Sequence, residues 1–174
     1  MQSDLPATDH LPPIGAPNPA PPLREPALPL PAYRYVPGRL PHPFAHPAGH
    51  GHRLTPAVLG PAWDRTRPPV MDRRFRHACD LFDQRYPWEA HELWEEIWRA
   101  APAGAPEREL LQGLILAAAA LLKWHMGQAD AAERLWARAG LRLGRATAAL
   151  GPEPWGVRVG PLLAAGPGGW PTLG

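Results

Sequence analysis

Proline placement constrains this chain more than any other feature: eighteen of its 26 prolines fall within residues 1 to 70. Each removes an amide donor and holds its predecessor away from helical torsions, so this segment is expected to be extended. Regular helix is therefore confined to the chain from about residue 71 onward. The expected organisation is a disordered Pro-rich tail (1 to 30), an extended His-bearing arm (31 to 70), a helical bundle (71 to 150) and a Gly/Pro-rich C-terminal tail (151 to 174). A chain of 174 residues has room for one modest domain.

Within the helical region the apolar spacing predicts four elements. Phe75, Ala78, Cys79, Phe82 and Tyr86 share one face of a first helix. Pro87 ends it and opens a second, since a first helical position needs no amide donor. This second helix should run to about Arg99, ahead of the breaker Ala-Pro-Ala-Gly-Ala-Pro (101 to 106). A third, from about Pro106 to Met126, is apolar nearly all round and belongs in the middle of a bundle. Gly113, Ala117 and Ala120 give it a small-residue side for close helix packing, and Gly127 marks its end. A fourth should run from about Gln128 to Leu150. Short connections favour antiparallel neighbours, so the expected fold is all-α, an antiparallel helical bundle of about four helices with a long Pro-rich N-terminal arm and a Gly/Pro-rich C-terminal tail. Val157, Val159, Leu162, Leu163 and Trp170 are candidates to dock the tail.

Composition narrows the function classes. Residues 71 to 150 carry ten arginines plus Lys123 against eleven acids, without the basic surplus of a nucleic-acid binder. The row Arg134, Arg138, Arg142 and Arg145 reads as a solvated face. A single cysteine, Cys79, excludes an internal disulfide and a Cys-rich zinc site. The opening residues lack the pattern of a secretory signal, and the longest apolar run (110 to 122) is too short to span a bilayer. The expectation is a cytoplasmic protein with no membrane partner and with nucleic acid disfavoured. Eight tryptophans make a homo-oligomer credible.

The chemistry concentrates on the second helix. On a helical wheel Ala90, Leu93, Trp94, Ile97 and Trp98 fill one arc, Glu89 and Glu96 point the other way, and His91 and Glu95 stand at the rim of the core. The third helix sets Gln112 and Lys123 on one stripe of a greasy cylinder. Buried polar groups need partners, so a polar seam between the two helices is expected, with Gln112 at the level of His91 and Glu95. Lys123, the chain's one lysine beside seventeen arginines, lies further along it, snorkels outward or pairs with Glu92 or Glu95.

Three readings fit His91 and Glu95. They form a satisfied core network, they supply two ligands to a divalent metal at i and i+4, or they act as a metal-free acid and base pair. A metal would need a third ligand, from Glu92 or from the arm, which carries four of the eight histidines within eleven residues. Docked and floating arms both remain open. His77 is expected to be exposed, Cys79 a small core residue and His125 a helix-end residue.

Taken together, Asp-Leu-Phe-Asp (80 to 83), Trp-Glu-Ala-His-Glu-Leu-Trp-Glu-Glu-Ile-Trp-Arg (88 to 99) and Leu-Gln-Gly-Leu-Ile with Ala-Ala-Ala-Leu-Leu-Lys (within 111 to 123) resemble a bacterial family of small all-helical proteins known as domain of unknown function 309. The resemblance covers roughly residues 72 to 145. Arg-Tyr-Val-Pro-Gly (34 to 38), Pro-His-Pro (41 to 43) and Gly-His (49 and 50) also resemble a preamble found in a version of that family. The resemblance implies a helical fold and a functional unit that includes the arm, with His42 and His50 carried over alongside His91, Glu92, Glu95 and Gln112. It names no substrate. The chain departs from the family pattern at Gly51, where a hydroxyl residue is usual, and at Pro87, where an aromatic is.

The sequence thus points to a site with His91, Glu92 and Glu95 as candidate catalytic residues and Gln112, Lys123, Trp88 and Trp98 as candidate ligand-binding residues. His42, His50, His91 and Glu95 are the candidate ligands of a divalent metal ion, and metal-assisted hydrolysis is the most the site would support. The rival class is a non-enzymatic interaction or structural module, in which the seam is a buried hydrogen-bond network and the partner is a protein instead of a small ligand.

Overall fold

In the computed structural model, residues 13–51 and 69–174 are described. The expectations for residues 1–12 and 52–68 lie outside them. Among the described residues there are five α-helices and no strand: α1 (Arg73–Asp83), α2 (Pro87–Ala100), α3 (Pro106–His125), α4 (Ala129–Leu150) and a short α5 (Val159–Ala165). The fold is an all-α helical bundle.

Local chemistry explains the boundaries. The Asp72 side chain accepts from the Arg74 amide and caps α1. The α1 exit is a Schellman turn: Tyr86 N–H donates to the Leu81 carbonyl at 2.7 Å and Arg85 N–H to that of Phe82 at 3.0 Å. Its left-handed position, φ +65°, is held by Arg85, where glycine is usual. Pro87 then sits in the first turn of α2. Gly127 plays the left-handed part at the α3 exit, with φ +73°, and Gln128 N–H reaches the Lys123 carbonyl at 2.9 Å.

The apolar α3 lies between α2 and α4, as a helix greasy on most sides must. On the α4 side, a Cβ added at Gly113 would lie 2.6 Å from Leu143 Cγ, so glycine is what allows the close approach. Ala117, Ala120, Ala139 and Ala146 line the same packed core. Arg142 joins Glu109 across the pair at 2.6 Å, so the arginine row is not wholly solvated. On the α2 side, His91 Nδ1 meets the Ile115 carbonyl and Arg108 meets the Trp98 carbonyl. A step forward on α2 is thus a step back on α3, the antiparallel arrangement.

Both flanking segments dock. Residues 13–30, expected to be disordered, instead bury Ile14 and Leu28. The reason is a buried ionic clamp: Asp80 accepts from the Arg24 and Glu25 amides, each at 2.8 Å, and the Arg24 guanidinium reaches Asp80 and Asp83 at 3.2 and 2.9 Å. Asp83 also accepts from Leu173 N–H at 2.7 Å, drawing the C-terminal tail to the same place. Val157, Val159, Leu162 and Leu173 are buried there. Composition alone missed this because the charge pairs, not apolar content, hold residues 24 and 25.

Candidate functional site

The arm crosses the face of α2 that a two-helix reading leaves in water. Val36 and Tyr35 are buried, Arg34 Nε donates to the Gln84 carbonyl at 3.0 Å, and the Tyr86 hydroxyl donates to the Pro31 carbonyl at 3.0 Å. Glu89, expected to face solvent, is only 6% exposed. Its Oε1 accepts from Tyr35 N–H at 3.0 Å and lies 3.0 Å from His50 Nε2, while its Oε2 is buried without a partner among the described residues. The arm also packs an aromatic cluster on Trp88, with ring centroids of Tyr35, His42 and Phe44 at 4.9, 5.4 and 5.7 Å.

Beneath the arm, between it and the α1 and α2 helices, is a cavity of about 400 Å³. Its wall includes Leu28, Leu30, Leu81, Leu93, Phe44 and Trp88, with His50, His77, Glu89, Glu92, Glu96 and Arg74 as the polar members. His77, expected to be exposed, is buried here, and its Nδ1 has no partner among the described residues. Burial pushes the His77 imidazole below its ordinary value, against the raising effect of Asp80 and Glu25.

On the adjoining strip of α2, His91, Glu92 and Glu95 each offer a ligand atom, all within 4.8 Å of one another and half-buried. His91 Nδ1 lies 3.2 Å from the Ile115 carbonyl. Since a carbonyl can only accept, Nδ1 is the donor of this contact, and Nε2 is the ring nitrogen that remains for a ligand. Burial pushes the Glu92 carboxyl up, and the charge of Glu95 adds to this while His91, Arg99 and His42 oppose it. Glu95 pairs with Arg99 one turn on, at 2.7 Å, and that arginine is largely exposed.

The expected residues are therefore only partly gathered. His91, Glu92 and Glu95 come together, but the arm's histidines do not join them among the described residues. His50 is spent on Glu89, and His42 Nδ1 accepts from the Phe44 and Ala45 amides at 3.3 and 3.2 Å. Gln112 is half-buried and on the expected level, yet no hydrogen bond links it to His91 or Glu95 among the described residues. A spare lone pair on the Ile115 carbonyl serves His91 instead. Lys123 sits in the last turn of α3, about two turns past the Ile115 level, and Arg99 takes the carboxylate expected for it. Trp98 supports the Arg108 guanidinium, 4.1 Å above its ring, and does not line the cavity; Trp88 does.

Glu89, His77, Asp80, Asp83 and Arg24 were not anticipated as partners. The available signal was on α1, where Asp83 neighbours Cys79 on the helical wheel and Asp80 stands next round from it. Acids beside a buried stripe demand a cation, and the clamp supplies it.

Residues 75–135, from α1 into α4, match the family model described as Domain of unknown function (DUF309). No curated protein and no solved structure matches the chain.

Proposed function

On the premise that residues 75–135 belong to the DUF309 family, whose description assigns no activity, we propose that the protein binds a divalent cation through His91, Glu92 and Glu95. The observation that carries this reading is the convergence of the three donors within 4.8 Å on a half-buried strip of α2.

The donor set fits a metal ion on its chemistry. One imidazole and two carboxylates suit zinc, manganese or iron(II), and three protein ligands leave positions for water or a small ligand. The bond between His91 Nδ1–H and the Ile115 carbonyl has the form of the outer-shell contact that orients a ligating imidazole. Release of Glu95 from Arg99 costs little, since exposed i,i+4 pairs contribute only about 0.3–0.5 kcal/mol. A cation held here would lower the pKa of bound water and polarise an oxygen of a bound ligand. The chain's own part is narrower: His91 is held in one tautomer, Glu92 and Glu95 provide negative charge, and either carboxylate is placed to accept a proton. Among the described residues no helix is long and apolar enough to cross a membrane; a cytoplasmic setting is part of this proposal.

The structural-module reading rests on the Glu95–Arg99 pair, which already satisfies one of the three donors. Elemental analysis of the purified full-length chain separates the two. Stoichiometric metal that disappears in His91→Ala and Glu95→Ala, with the helical circular dichroism unchanged, supports the cation site. A metal-free protein whose variants are only less stable supports the module.

A further inference from the structure

The cavity under the arm is a separate matter from the cation cluster, although Glu92 borders both. Its volume of about 400 Å³ lies within the range of small-molecule sites, and most of its wall is apolar. Leu28, Leu30, Leu81, Leu93, Phe44 and Trp88 would enclose an aliphatic or aromatic body.

The Glu89 side chain is 5% exposed, and its Oε1 already serves Tyr35 N–H and His50. Its Oε2 is buried with nothing to accept from among the described residues. A buried carboxylate oxygen left without a donor is costly, and a ligand that brings an N–H removes the cost. Charge points the same way. Among the described residues three acids, Glu89, Glu92 and Glu96, line the cavity beside His50, His77 and Arg74, and the Arg74 guanidinium lies 3.6 Å from Glu96. Such a wall repels a carboxylate or phosphate and attracts a cation. An organic cation suits it better than a bare metal ion, because most of the wall is hydrocarbon.

We propose that this cavity binds a small organic amine, its ammonium group donating to Glu89 and its apolar body lying between α1, α2 and the arm. The His50–Glu89 contact then has a second use: it ties the arm down as the roof of the site and fixes the carboxylate that receives the amine.

The test is a calorimetric titration of the full-length protein in EDTA with 2-phenylethylamine, and in parallel with 3-phenylpropionate, which carries a similar body and the opposite charge. The expected result is saturable binding of the amine at one site, a raised Tm, and binding of the carboxylate at least about tenfold weaker. Glu89→Gln should weaken the amine about tenfold or more. Because that variant alters the arm's anchor, Ala32→Trp provides an independent check: Ala32 is exposed at the cavity's lip, and a large ring there blocks entry without touching Glu89. Ala32→Trp should abolish amine binding with the fold intact. No amine binding at millimolar concentration, equal binding of the two probes, or full binding by Ala32→Trp would each overturn the proposal. So would amine binding that needs a metal ion, a result that would leave the cation site standing.

Discussion

His50 Nε2 on the arm lies 3.0 Å from Glu89 Oε1 on α2, and both side chains are buried. The contact makes the arm part of the domain, since the same oxygen also receives the Tyr35 amide. Glu89→Ala strands both partners, and hydrogen bonds to a charged group are worth about 1.5–3 kcal/mol each. The expected outcome is a loss of about 2–3 kcal/mol in urea unfolding and faster protease cleavage between residues 36 and 50. Unchanged protection of the arm would show that its apolar contacts suffice.

Arg24 is the cation of a clamp whose two carboxylates are almost fully buried. Breaking a buried pair by removing one member costs about 3–5 kcal/mol, and the partial exposure of Arg24 places Arg24→Ala near the lower figure. Burial already holds the Asp83 carboxyl above its ordinary value, with Arg24 opposing. A carboxyl with a raised folded value contributes stability that is present in acid and lost as pH rises through that value. Removing Arg24 enlarges this effect, so the defect should be greatest at neutral pH and shrink toward pH ~4, as Asp83 protonates. Unfolding curves at several pH values check this, and a defect independent of pH would contradict it.

His77 gives the opposite sign. Its folded value is depressed below 6.5 by burial, with Asp80 and Glu25 pulling upward and Arg73 downward. Its contribution to stability is therefore present above 6.5 and lost as pH falls through that value toward the folded one. A Tm series across this window should show a decline that His77→Gln flattens. Identical slopes in the two proteins would mean that His77 does not titrate on unfolding.

Gly113 faces Leu143 at a distance that a methyl group cannot share. Alanine improves helix propensity by about 1 kcal/mol, yet overpacking typically costs about 1–3 kcal/mol, so Gly113→Ala should be neutral to destabilising by about 2 kcal/mol. Gly113→Val should be worse. A double-mutant cycle with Leu143→Ala should return part of the loss, and strict additivity would show that the two sites do not press on each other.

The helices could be read from the chain almost residue by residue, because their punctuation is local. Asp72, Pro87, Pro106 and Gly127 each act within one turn of their own positions. The site was less visible, for a geometric reason. A helical wheel assigns Glu89 to solvent when the only known neighbours are helices, and nothing in the apolar periodicity says that an arm fifty residues upstream covers that side. His91, Glu92 and Glu95 share one helix, so their convergence follows from 100° per residue. Gln112 and Trp98 needed knowledge of which partner each would meet: a backbone carbonyl displaced the first, and Arg108 engaged the second.

The cation cluster is tested most directly by calorimetry of chelator-stripped full-length protein titrated with Zn²⁺ and with Mn²⁺. One site per chain in the wild type, with affinity at least about tenfold lower in His91→Ala and in Glu92→Gln and helicity retained, is the expected result. Equal binding by the wild type and both variants, or no binding at all, would contradict it.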